Sequence, residues 1–162
     1  MNQKELELYI HIPFCVKKCS YCDFLSAPAT EQTKEAYMAA LFAEIGGRAK
    51  DYKERIVTSI FIGGGTPSLL SGDSIRQLME HIREGFRLAP DAEITMEVNP
   101  GTVTAEKLTA FYGAGINRLS IGMQSAQEQE LKILGRIHDF DGFCQVYREA
   151  VEAGFTNINV DV

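Results

Sequence analysis

Three of the chain's four cysteines, Cys15, Cys19 and Cys22, fall on one short segment with the spacing C-x3-C-x2-C. Thiols packed this closely suit a metal or redox site better than a disulfide framework, and pairing any two would leave an odd one. Iron–sulfur clusters are held by cysteine thiolates, and four is the usual complement for a [4Fe–4S] cube. Three ligands leave one iron open. Lys17 and Lys18 lie between the ligands and would help offset the negative charge of thiolates and sulfides. The same cysteines with His11 also make a Cys3His set of the kind that holds structural zinc. Against zinc, Pro13 separates His11 from Cys15, and such sites usually pair two separated couples of ligands. Cys144 stands far away beside Phe143 in a helical pattern, which reads as a buried, inert thiol.

Other chemistry-bearing residues follow apolar runs. Gly63-Gly64-Gly65-Thr66-Pro67-Ser68 is a turn through which backbone could approach a ligand closely. It lacks the Lys-Ser/Thr of a phosphate-binding P-loop. Glu97 precedes Asn99-Pro100, and a carboxylate at the C-terminal end of a barrel strand faces the mouth where ligands bind. Arg118 to Ser125 includes Gln124, and Leu134 to His138 includes Arg136. Taken singly, Arg118, Arg136 and His138 are each more often solvated surface residues than ligands, and of the three Arg136 is the one expected in a site. Their place after strands favours a site, with His138 left open.

These residues need a scaffold, and the periodicity supplies one. Strands are expected at Leu8–Ile12, Ile56–Ile62, Glu93–Val98, Ile116–Ile121 and Phe155–Val162. Helical stripes run through Met38, Leu41, Phe42 and Ile45, with Gly46-Gly47 as a stop, and through Ile75, Leu78, Met79, Ile82 and Phe86, with Pro90 beyond. Others pass through Leu108, Phe111 and Tyr112, over about Ala126 to Leu134, and through Phe143, Val146, Tyr147 and Ala150. Alternation of strand and helix predicts an α/β fold built of parallel βαβ units. The last strand has no helix after it, although a parallel sheet is covered on both faces. We therefore expect a single incomplete domain, 1–162.

The chain has 162 residues, 45% apolar and 23% charged, with a formal net charge of −6. Its basic residues are neither in excess nor clustered, which argues against nucleic acid. No apolar run could span a bilayer, and the N-terminus lacks the apolar region of a signal peptide. A cytoplasmic protein is expected.

The loop with its flanks, Tyr9-Ile-His-Ile-Pro-Phe-Cys15 through Tyr21-Cys22, together with GGGTP at 63–67, resembles the radical S-adenosylmethionine (SAM) superfamily. Within it the chain is similar to the oxygen-independent coproporphyrinogen III oxidase group, which includes heme chaperones. The resemblance runs from Tyr9 to Asp161. It implies the N-terminal portion of an open (β/α)6 barrel, truncated near the fifth strand, without the last unit and any C-terminal domain. It implies a [4Fe–4S] cluster on Cys15, Cys19 and Cys22, with one or two SAM molecules. Tyr9, Tyr21, Gly64, Gly65, Thr66, Glu97, Gln124, Arg136 and Asp161 match SAM-contacting positions, several of them where a second SAM lies in some members. The family chemistry is reductive cleavage of SAM at the open iron, giving methionine and a 5′-deoxyadenosyl radical.

Two branches use that apparatus. One decarboxylates a porphyrinogen; the other binds heme and delivers it to respiratory proteins. The oxidases resemble C-x3-C-x2-C-x-C, whereas this chain has Phe24 at the fourth position. That departure, with the short lead before Tyr9, implies the chaperone branch. A bare electron-transfer module would not need the Gly-rich turn, Glu97 and Gln124 at successive strand ends.

Overall fold

A computed structural model describes residues 4–162. Residues 1–3, part of the segment read as lacking a signal peptide, lie outside the described residues. Five strands, β1 (Lys4–Ile12), β2 (Arg55–Gly64), β3 (Leu88–Val98), β4 (Arg118–Gly122) and β5 (Ile158–Asp161), form one sheet in sequential order. Every neighbouring pair is parallel. The crossovers are α1 (Glu31–Ala49), α2 (Gly72–Gly85), α3 (Ala105–Gly113), and the pair α4 (Glu128–Leu134) and α5 (Phe140–Glu152). Parallel strands wound one after another in this way are the expected portion of a (β/α) barrel.

The sheet is held by apolar side chains facing the helices. Ile60, Ile62, Met96, Leu119 and Ile121 from the strands, with Ile75, Leu78, Met79, Leu108 and Phe111 from α2 and α3, are essentially excluded from solvent. Helix starts are fixed by side-chain caps. Thr30, Ser71, Thr104 and Asp139 each accept from a backbone N–H three residues on, which satisfies a donor the helix leaves free. Among the described residues, no helix is long and apolar enough to cross a membrane.

Several element boundaries differ from the sequence reading. β1 begins at Lys4 rather than Leu8, and β4 at Arg118 rather than Ile116. α1 does not stop at Gly46-Gly47 but continues to Ala49. The reason is packing: Ile45 and Ala49 are buried, and both lie against Gly85 at the end of α2, so tertiary contact overrides the low helix propensity of glycine. β3 begins at Leu88 and includes Pro90. Its register to β2 slips between the Val57–Leu88 and Ser59–Glu93 pairs, and such an irregularity accommodates a proline. β5 is shorter than expected. Phe155 lies in the turn before it, buried edge-on against Tyr112 at 5.2 Å between ring centroids.

Candidate functional site

The C-terminal ends of the strands open into a cavity of about 250 Å³. The loop after β1 carries the cysteines over it. The loop is closed at its base by two backbone bonds, Cys15 N to Ala27 O (3.1 Å) and Ala27 N to Pro13 O (3.0 Å). Its far side is tied to the end of α4, where the Ser20 N–H donates to Leu134 O and its hydroxyl donates to Ile133 O. All three thiols are free, partly exposed and line the cavity.

The exit of β2 comes closest to this loop. The Gly65 N–H donates to Ile12 O at 2.8 Å. A side chain at Gly65 would meet Phe14 O at 2.7 Å, so only glycine lets the turn lie against the cysteine loop. Thr66 is then placed with its hydroxyl 3.5 Å from Cys15 Sγ. From the end of β3, the Glu97 carboxylate accepts from Gly64 N–H at 3.0 Å. Burial raises the Glu97 pKa; the Gly64 bond opposes that rise, and the nearby Asp161 carboxylate adds to it.

On the far side, Asp161 at the end of β5 accepts from the Ser120 hydroxyl at 3.0 Å and from Asn159 Nδ2 at 2.7 Å. The exit of β4 turns sharply at Gln124, whose φ of 69° is the sole positive value for a non-glycine among the described residues. Arg136, just past α4, reaches into the same space. Its guanidinium donates to Gly122 O (2.9 Å) and Tyr21 Oη (3.2 Å), and lies 3.8 Å from Cys19 Sγ.

Every residue matched to the cluster and SAM lines the cavity except Tyr9. Arg118 does not reach it: it opens β4 at the opposite end of the strand, where it meets Thr95 Oγ1 at 3.3 Å and Glu93 at 3.8 Å. His138 also lies outside the lining, with Nε2 on Met123 O. The Tyr9 ring stacks on Phe61 at 6.1 Å, and its hydroxyl meets His11 Nδ1 at 3.2 Å. The structure also brings in Ser120, Gly122 and Asn99, which the sequence reading did not single out. Ser120 had a signal: it sits two residues before Gly122 in β4, on the same face of the strand. Cys144, expected to be buried, is only partly so; it packs against the apolar core and does not line the cavity.

Two observations bear on what the thiols could hold. Among the described residues, no three His, Cys, Asp or Glu side chains converge on a point where one ion could sit. A mononuclear zinc site needs that convergence, and both His11 nitrogens are already engaged, Nε2 with Leu25 O at 3.1 Å and Nδ1 with Tyr9. A cubane presents its irons at separate corners, so its thiolates need not converge on one ion, and all three cysteines line the one cavity. Donors from Thr66 and Arg136 are already beside two of the sulfurs. Arg136 Nε is buried without a partner, a free cationic donor fitting an anionic group. The donor set therefore fits a cluster with a small charged ligand.

Cysteines over the mouth of a parallel barrel, with a Gly-rich turn and acidic strand ends beneath, define an iron–sulfur protein of the barrel class. Residues 9–162 match the radical SAM superfamily, and the chain belongs to it. Membership implies a [4Fe–4S] cluster and SAM as cofactors.

Within the superfamily the chain is similar to heme chaperone HemW of Escherichia coli, 46% identical over 158 residues, or 97% of this chain and 42% of that protein. It is 37% identical to heme chaperone HemW of Bacillus subtilis, over 95% of this chain and 41% of that one. The solved structure of coproporphyrinogen III oxidase from Escherichia coli superposes with a TM-score of 0.90 at 36% identity, covering 98% of this chain and 37% of the oxidase. Methylornithine synthase, at 18% identity and a TM-score of 0.59, shares the fold. The chain spans about two fifths of the length of the heme chaperones it matches.

Proposed function

We propose that this chain is the cluster- and SAM-binding portion of a heme chaperone, a cytoplasmic protein that binds heme and passes it to respiratory proteins. Cys15, Cys19 and Cys22 hold the [4Fe–4S] cluster. When bound, the cluster supplies an electron to the sulfonium of SAM. The protein's share is positioning and exclusion of water. The backbone at Gly64 and Gly65, with the Thr66 hydroxyl and the Glu97 carboxylate, receives the cationic amino end of SAM. Arg136, with its unpartnered Nε, attracts a carboxylate. Gln124, Asp161 and Tyr21 complete the wall on the side where a second SAM would lie. Tyr9 closes the site from outside the cavity, its phenol held above the ordinary range by burial and then by Glu97.

The observation that carries the chaperone reading is Phe24. It lines the cavity mouth and is 65% exposed, so it does not simply pack the loop against the barrel. It stands where the oxidases resemble a fourth cysteine, and it can neither ligate iron nor supply a thiol. The similarity to heme chaperones over nearly the whole chain supports the same branch. The second reading, an oxidase forming protoporphyrinogen IX, is favoured by the close superposition on coproporphyrinogen III oxidase. Heme titration of reconstituted full-length protein, beside a coproporphyrinogen decarboxylation assay with SAM and a reductant, separates them. Stoichiometric heme binding without decarboxylation is expected. Robust decarboxylation overturns the chaperone reading and leaves the superfamily assignment standing.

A further inference from the structure

Two buried nitrogens have no hydrogen-bond partner among the described residues: Arg136 Nε and His138 Nδ1. The first belongs to a residue that lines the cavity. The second belongs to a residue with no assigned role, and its other nitrogen has a definite one. His138 Nε2 lies 3.2 Å from Met123 O. Arg136, two residues earlier, donates to Gly122 O. The two side chains thus take consecutive carbonyls at the exit of β4, immediately before Gln124. The Gln124 N–H is fixed from the other side by Asp161 O at 2.8 Å.

Gln124 needs that restraint. Its left-handed φ is a conformation that side chains other than glycine seldom adopt, and it persists only where surrounding contacts over-determine it. Relaxation would rotate the peptide units around it and carry the side chain out of the cavity wall. We propose that His138 is a positioning residue that, with Arg136, clamps the β4 exit and holds Gln124 turned toward the SAM cavity. This rests on the SAM-binding reading of that cavity.

The orphaned Nδ1 strengthens the case. An apolar side chain of similar size would fill the same space and leave no buried nitrogen unsatisfied. It could not hold Met123 O. Burial, and then the Arg136 charge, lower the His138 pKa. The neutral ring donates from Nε2 and leaves Nδ1 as the unpaired acceptor.

The test uses reconstituted full-length protein with His138→Leu and His138→Gln. A glutamine amide can place an N–H where Nε2 stands; leucine cannot. Iron per chain, SAM affinity by equilibrium dialysis, and hydrogen exchange over residues 120–127 without SAM are measured for each. His138→Leu should keep its iron, exchange faster over that segment, and bind SAM about tenfold more weakly, as loss of one buried hydrogen bond implies. His138→Gln should return both exchange and affinity toward wild type. Wild-type exchange and affinity in His138→Leu overturn the proposal. So does a glutamine variant no better than leucine, or iron loss that parallels the loss of affinity. If wild-type protein binds no SAM, the site reading fails, and the exchange comparison still decides whether His138 clamps the turn.

Discussion

The floor of the barrel and the loop above it are built on opposite terms. In the floor, strands and helices bury Ile62, Met96, Leu119 and Phe111 completely, and every strand is paired along a regular or nearly regular ladder. In the loop, large apolar residues face outward, Leu25 at 83% and Phe24 at 65% exposure. Its backbone is fixed by a few bonds to β1, α4 and itself. The floor is stable through its own packing. The loop has thiols where a core would have methyl groups, so its order depends on what those thiols hold. Stability and function are thus written in different residues, and each can be removed while the other stays.

The largest expected effect breaks only the loop. Cys15→Ser, Cys19→Ser or Cys22→Ser should each abolish the cluster's absorbance and reduce iron from about four per chain to near zero. The unfolding free energy of iron-free protein should stay within about 0.5 kcal/mol, as for ordinary surface changes. Cys144→Ser, away from the cavity, should leave the iron intact. Loss of the cluster there would undo the assignment.

The next effect breaks only the floor. Phe111 is fully buried in α3, and Phe111→Ala should cost about 3–5 kcal/mol from lost transfer energy and the cavity left behind. Molecules that remain folded should still take up iron in the same ratio. Denaturant unfolding beside iron analysis reads both. A Phe111 variant that stays stable yet fails to bind iron would contradict the separation.

How much of this was legible beforehand follows the same division. The five strands and their parallel order follow from apolar periodicity, and the three cysteines stand out by their fixed spacing. The glycine pair at 46–47 misled because its effect is decided by α2, which lies over Ile45 and Ala49. The short β5 misled because Phe155 is apolar for its contact with Tyr112 and not for a place in the strand. Within the site, the apolar runs place GGGTP and Glu97 at strand ends, while their roles toward SAM come only from the family resemblance. The dependence of Asp161 on Ser120 and Asn159, and of Gln124 on its turn, arises from strand register and backbone angle. Neither has a trace in spacing.

A smaller effect tests the seam between the regions. Lys107 in α3 has no carboxylate partner among the described residues; its ammonium donates to Ser68 O (2.6 Å) and Thr102 O (2.9 Å), with Leu69 O at 3.4 Å. It joins the turn after Thr66 to the turn after Glu97. Lys107→Met keeps the aliphatic stem and removes the donors, and should cost about 1–3 kcal/mol for carbonyls left unpaired. Weaker SAM binding should accompany that loss, because both turns wall the cavity. An unchanged affinity would show that the floor positions these turns without the lysine.

The smallest expected effect has the opposite sign. Glu97 is a carboxylate whose folded pKa is raised, first by burial and, against the Gly64 bond, by Asp161. A raised carboxyl pKa means the folded chain binds the proton more tightly than the unfolded chain does. Its relative contribution is therefore most favourable below the unfolded carboxylate range and declines as pH rises through the folded pKa. At neutral pH the ionised group is a net burden on the fold. Glu97→Gln removes the charge while its amide oxygen can still accept from the Gly64 N–H. It should raise the thermal midpoint slightly at neutral pH, and the gain should shrink as pH falls into the ordinary carboxylate range, where the wild-type group is itself protonated. The same variant should weaken SAM binding, because a neutral amide no longer attracts the cationic amino group. A gain in stability coupled to a loss of affinity would mark Glu97 as a residue kept for the site at the expense of the scaffold. A midpoint that falls at neutral pH would show that the charge is stabilising, and the line between the two regions would have to be drawn elsewhere.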